Sequence, residues 1–178
     1  MRNLKDFAKM KYHNLYGDLI GDINDVRTML FDVLDEEYKK YNKIITKVIF
    51  GTDTKSSGKK TRFSTALALR IEGHGVRVIR CRYTTDIIQS DNERLMLEAI
   101  RSNEFSLMFV DILDHFAIIP DIHVDVNENE RHKSNKIMKQ VFSFVESQGN
   151  HCVFKPNAWV SSKVCDRVVN KGSWRDVK

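Results

Sequence analysis

No apolar run in the 178 residues approaches the ~20 that a bilayer crossing needs. The first residues, MRNLKDFAKMKYHN, lack the continuous apolar stretch of a signal peptide. These two absences predict a cytoplasmic protein without a membrane partner. Cysteine is scarce and odd in number: Cys81, Cys152 and Cys165. Three thiols without metal-type spacing argue against a disulfide framework and a zinc site, and fit reduced side chains. None has convincing partners for nucleophilic catalysis. Internal repeats and low-complexity linkers are missing as well.

What is present suffices for one folded unit. Hydrophobic residues make up 42% of the chain, enough for a sizeable core. The net charge of +5 is unevenly spread. Lys/Arg against Asp/Glu counts are 9 to 8 over residues 1–50, 5 to 1 over 51–70, 9 to 13 over 71–149 and 6 to 2 over 150–178. The excess positive charge sits in the second and fourth stretches. If they meet in space they form a basic rim for a polyanion; otherwise they are solvated surface.

Residues 1–15 are mixed and basic and read as a poorly ordered arm. Residues 21–42 place Ile23, Val26, Met29, Leu30, Val33, Leu34 and Tyr38 at helical spacing, with Asp22 or Asn24 as cap. From Lys43 the period changes. KIITKVIFGTD is β-branched and reads as a buried strand ending at Asp53, followed by a turn, SSGKKT. RFSTALALRIEG and VRVIRCRYTT alternate around GHG, giving a meander of three antiparallel strands. Residues 91–113 read as one helix capped by Ser90 or Asp91. FAIIPDIHVDVN reads as a fourth strand, with Pro120 arguing for an edge or an irregularity. ERHKSNKIMKQVFSFVESQG reads as a helix ending at Gly149, HCVFK as a fifth strand, and SSKVCDRVVNKG as a last helix capped by Ser161 or Ser162. The predicted fold class is α/β: an α+β mixed sheet in the order β-β-β-α-β-α-β-α behind an extra N-terminal helix. The predicted division is an N-terminal arm and helix, 1–42, and a main domain, 43–178.

Four acids fall at telling places. Asp53 ends the first strand. In DIHVDVN, Asp121, His123 and Asp125 share one strand face. Glu98 shares a helical stripe with Leu95, Ser102, Phe105 and Phe109, and Asp166 lies early in the last helix. This arrangement resembles the ribonuclease H-like superfamily, over residues 43 to about 171. More closely, FGTDT, RLMLEAI, IHVDVN with a following Ser134, FKPNAW and VSSKVCDR look like the YkuK-type branch of bacterial and phage predicted nucleases.

The resemblance implies a nuclease that hydrolyses phosphodiesters with two Mg²⁺ or Mn²⁺ ions. Asp53, Glu98, Asp125 and Asp166 would be the ligands, and His123 would orient a ligand or water. Crowded carboxylates need a proton or a cation between them, and oxygen donors suit these hard ions. Lys55, Lys59, Lys60, Lys155, Lys163 and Arg167 would meet DNA or RNA phosphates. Each acid also has a simpler reading. Asp53 and Asp125 are placed to cap turns or helices, Asp166 to favour a helix dipole, and Glu98 to pair with Arg70, Arg77 or Lys155. Trp159 and Trp174 read as packing, with base stacking open to Trp159. GTDTKSSGKKT is not a phosphate loop, because a strand rather than a helix follows it. Two other functions remain open: a non-catalytic nucleic-acid-binding protein on the same fold, and a partner-binding protein docking through helix 21–42. Oligomeric state is not legible.

Overall fold

The computed structural model describes residues 4–71, 73–86, 88, 90–127 and 135–170. From Leu4 on, the N-terminal stretch forms regular elements. Leu4–Phe7 form a helical turn (α1), and Tyr12–Asn14 (β1) and Leu19–Gly21 (β2) form a short hairpin. This corrects the poorly ordered arm. Phe7 and Tyr12 are fully buried, the two rings stack on Phe105, and Tyr12 donates its hydroxyl to Phe7 O at 2.8 Å. Burying two aromatic rings outweighs the polar composition around them.

Ile23–Tyr41 form α2. Asp22 is its cap, accepting from Asn24 N and Asp25 N, while Asp25 reaches back to Asp22 N. Its apolar stripe buries Ile23, Val26, Leu30 and Leu34. Near its end Glu37 Oε2 accepts the amide of Thr46 at 3.1 Å, which fixes the approach to the next strand.

Lys47–Ser57 (β3), Lys60–Ile71 (β4) and Gly75–Asp86 (β5) are the predicted meander. Ser57 pairs with Lys60, so the turn shrinks to Gly58 and Lys59. The polar run TKSS is strand, and Asp53 is the seventh of the eleven residues of β3 rather than its end. A two-residue turn with Gly58 at φ +59° keeps the antiparallel ladder running to its tip.

The next helix is two. Asp91–Leu107 (α3), capped by Ser90 Oγ on Glu93 N, stops at Met108, and Val110–His115 (α4) follows. Arg27 of α2 holds this break, donating to Met108 O and to Asp111 Oδ2, the latter at 2.6 Å. Asp121–Asn127 (β6) starts just after Pro120 and lies between β3 and His151–Lys155 (β7), so the proline precedes an internal strand. Asn135–Ser147 form α5. The last helix opens with a π-helical segment, Val160–Cys165, that runs into α6, Asp166–Asn170. Ser161 and Ser162 do not cap it; both hydroxyls bond back to Ala158 O, at 3.1 and 2.7 Å. Ser134 and Trp174 lie outside the described residues.

The described residues build a seven-stranded mixed sheet in the order β2-β1-β5-β4-β3-β6-β7. One face carries Phe50, Phe63, Leu67, Leu69, Ile79 and Ile122 against α2, α3 and α5. The other carries Ile49, Ala66, Ala68 and Val78 against Val160 and Cys165. Among the described residues no helix is long and apolar enough to cross a membrane.

A candidate metal centre at the open end of the β3–β6 ladder

Strand β3 places the site. Its even residues, Val48, Phe50, Thr52 and Thr54, face α3; its odd residues, Ile49, Gly51 and Asp53, face the π segment. Gly51 is needed for that second contact. A Cβ there would stand 3.0 Å from both Ser161 N and Val160 Cγ1, and Cys165 Sγ donates to Gly51 O at 3.3 Å. The antiparallel pairing with β4 continues to Ser57, but the parallel pairing with β6 ends at Gly51–His123. Asp53 and Asp125 lie two residues beyond that last pair, where the neighbouring strands part and side chains from both faces can approach.

Glu98 comes from α3 and is 3% exposed. Its Oε1 accepts the Thr54 hydroxyl at 2.5 Å, while Oε2 is buried with no hydrogen-bond partner among the described residues. A hydroxyl chain holds the helix at this level: Ser102 Oγ bonds Glu98 O at 2.8 Å and Thr52 Oγ1 at 3.0 Å, and Thr52 meets Thr65 at 3.1 Å. None of Arg70, Arg77 and Lys155 is the partner of Glu98. The cation acting on it is Arg94, one helical turn earlier, which also acts on Asp53 while bonding Asp91 at 2.8 Å.

Electrostatics tie the acids together. Burial pushes Asp53 up to about 7, the charges of Asp125 and Asp166 push the same way, and the Thr54 amide and Arg94 oppose. Burial pushes Glu98 up to about 8, with Asp53 and Asp125 adding to it and Thr54 and Arg94 opposing. Asp166, exposed at the start of α6, is thus close enough to act on Asp53. Asp125 is ion-paired with Lys155 at the end of β7. As the side chains stand, no three His, Cys, Asp or Glu groups among the described residues form a ready cation cage.

His123 has a different place. It is buried, lies edge-on to Trp159 at 5.8 Å, and its Nδ1 accepts the Val160 amide at 3.2 Å. Burial, with the charge of Lys47 adding to it, lowers its pKa to about 4, so the ring is neutral and anchors the π segment. Of the predicted phosphate contacts, Lys55, Lys59, Lys163 and Arg167 are exposed, while Lys60 pairs with Asp86 at 2.9 Å. The two basic stretches do meet, since the π segment and α6 pack on β3 and β4.

Sequence reasoning missed Thr54 and Arg94. Each had a signal: Thr54 is the hydroxyl next to Asp53 on the opposite strand face, and Arg94 is four residues before Glu98 on one helical face.

No curated protein sequence matches the chain significantly. A family model described as ribonuclease H-like matches residues 29–170, from within α2 to the end of α6. With this match and the mixed sheet, the chain belongs to the ribonuclease H-like family.

Proposed function

We propose that the protein is a divalent-metal-dependent nuclease that hydrolyses phosphodiester bonds in DNA or RNA. Family membership points to nuclease-type chemistry on nucleic acid; the metal and the two-metal mechanism are this proposal's own. The observation that carries it is a pair of buried carboxyls from β3 and α3: burial raises the proton affinity of both Asp53 and Glu98, the charge of Asp53 raises that of Glu98 further, and the charge of Asp125 adds to both. Such a group is costly unless a proton or a cation neutralises it. The donor set is all oxygen, which suits Mg²⁺ or Mn²⁺, and the unpartnered Glu98 Oε2 is a lone pair awaiting a ligand.

In this reading Asp53, Glu98, Asp125 and Asp166 hold the ions. Two such ions supply an activated water and stabilise the leaving oxygen. Thr54 and the Ser102–Thr52 chain orient Glu98 and keep α3 in register. Lys155 neutralises Asp125 and competes for it with an incoming cation. Arg94 lies beside the carboxylates with a guanidinium suited to a phosphate oxygen. Assignment to the YkuK-type branch, a bacterial or phage source and a cytoplasmic location belong to the same proposal.

The Lys155–Asp125 ion pair favours a second reading, a nucleic-acid-binding protein that does not cleave. Cleavage assays on labelled DNA, RNA and hybrid duplexes with Mn²⁺ decide. The nuclease reading expects turnover that Asp53→Asn reduces at least about a thousandfold, ~4 kcal/mol in barrier. Unchanged cleavage in that variant contradicts it.

A further inference from the structure

Among the described residues, the sheet face packed by the π segment and α6 is buried at Ser64 and Arg80 and exposed at Lys55, Arg82 and Thr84. The π segment and α6 make their apolar contact with Ile49, Ala66, Ala68 and Val78. Further along the same face the pleat presents Arg62 from β4, Arg80 and Arg82 from β5, and His13 from β1. The register orders them. Asp53 pairs with Ser64 and Ser64 with Arg82, so Arg82 stands in the row of Asp53, two strands away. Arg62 lies one row toward the hairpin tip, opposite Lys55 and Thr84. Arg80 lies one row the other way, between Ala66 and His13. At ~4.8 Å per strand the row runs ~10 Å from β3 to β5 and ~14 Å to β1.

Arg80 is 3% exposed and donates its Nε to Asn14 O at 3.1 Å, which ties β5 to β1 beside the exposed Arg82. Burial first, then the charge of Arg82, disfavours the charge on Arg80, and burial first, then both arginines, disfavours a proton on His13. Like charges on neighbouring strands cost stability. Among the described residues Arg62 and Arg82 have no ion pair, and Arg82 is exposed. A guanidinium fork matches a phosphate, and a line of them matches a polyanion rather than a single anion.

We propose that the face bearing Arg62, Arg82 and His13 is a track for the phosphodiester backbone of a nucleic-acid strand, leading from the Asp53 end of the sheet across β4 and β5 to β1. It rests on the nuclease reading only for what happens at its Asp53 end. Its ~14 Å span covers about four nucleotides at ~3.4 Å each. Contacts to phosphate make it indifferent to base sequence and sensitive to salt.

The test is fluorescence anisotropy of the full chain with labelled mixed-sequence DNA and RNA oligonucleotides, in EDTA so that nothing is cleaved. Arg62→Gln/Arg82→Gln is expected to weaken binding about tenfold or more. It should also flatten the slope of log K against log salt by about 1.4, the value for two single-strand phosphate contacts. Arg62→Lys/Arg82→Lys, which keeps the charge and guards against misfolding, should retain most of that slope. Asp53→Asn should bind at least as well as the unaltered chain, so a failed nuclease reading leaves this result standing. Unchanged affinity and slope in the double glutamine variant overturn the proposal. So does loss of binding to anionic lipid vesicles alone, with oligonucleotide binding intact.

Discussion

The two halves of β3 obey different rules. From Val48 to Phe50 the strand pairs with β4, and from Ile49 with β6 as well, and both its faces are apolar. After Gly51 it loses β6, and the side chains become Thr52, Asp53 and Thr54, still buried. The first half has the composition that a buried strand should have. The second places a carboxyl where burial, helped by the charges of Asp125 and Asp166, pushes it up to about 7. Such a departure from local stability rules is what the proposed metal site would require, and the apolar half would supply its rigid support.

Substitutions one at a time in each half should give opposite signs without metal. Phe50→Ala removes a ring that meets Phe105 and Phe109 at 5.6 and 5.7 Å, and should cost about 3–5 kcal/mol in urea unfolding. Asp53→Asn relieves a buried, mutually repelled carboxyl and should raise metal-free stability by about 1 kcal/mol. A loss in both would erase the contrast.

At the junction, Gly51→Val forces a side chain into Val160 and the Ser161 amide, and should cost about 1–3 kcal/mol. It should also loosen the last helix, seen as faster amide exchange over Val160–Cys165.

The pH dependence sharpens the comparison further. Asp53 and Glu98 titrate near 7 and 8 in the folded chain, above ordinary carboxyls. Between those values the unfolded chain binds fewer protons, so metal-free stability should fall as pH rises from about 5 to about 8. Glu98→Gln should flatten that fall, as read from thermal melts in EDTA. Thr54→Val has the smallest expected effect. It leaves Glu98 Oε1 without its hydroxyl and should cost about 1 kcal/mol, least at low pH where the carboxyl is neutral.

Much of this was legible in the chain. Alternation in RFSTALALR gives β4, with large residues on the α3 side and small ones on the π-segment side, and the stripe Glu98, Ser102, Phe105, Phe109 gives the inward face of α3. The end of β3 was not legible. TKSS is polar, and only its pairing with KTR across a two-residue turn makes it strand. Phe7 and Tyr12 were hidden for the same reason: isolated aromatics in a basic stretch show their partner, Phe105, only in three dimensions. The helix break after Leu107 depends on Arg27, 81 residues away from the Met108 carbonyl it holds. At the site, the acids could be named from position, but their neutralising groups, Lys155 for Asp125 and Thr54 for Glu98, follow from packing between elements.

The central claim is that carboxyls from β3, α3, β6 and α6 form one cation site where the β3–β6 ladder opens. Calorimetric titration of Mn²⁺ into the full chain tests it most directly, beside Asp53→Asn and Glu98→Gln. The account predicts saturable binding that each substitution weakens at least about tenfold, with the fold retained. Identical isotherms for all three proteins would contradict it.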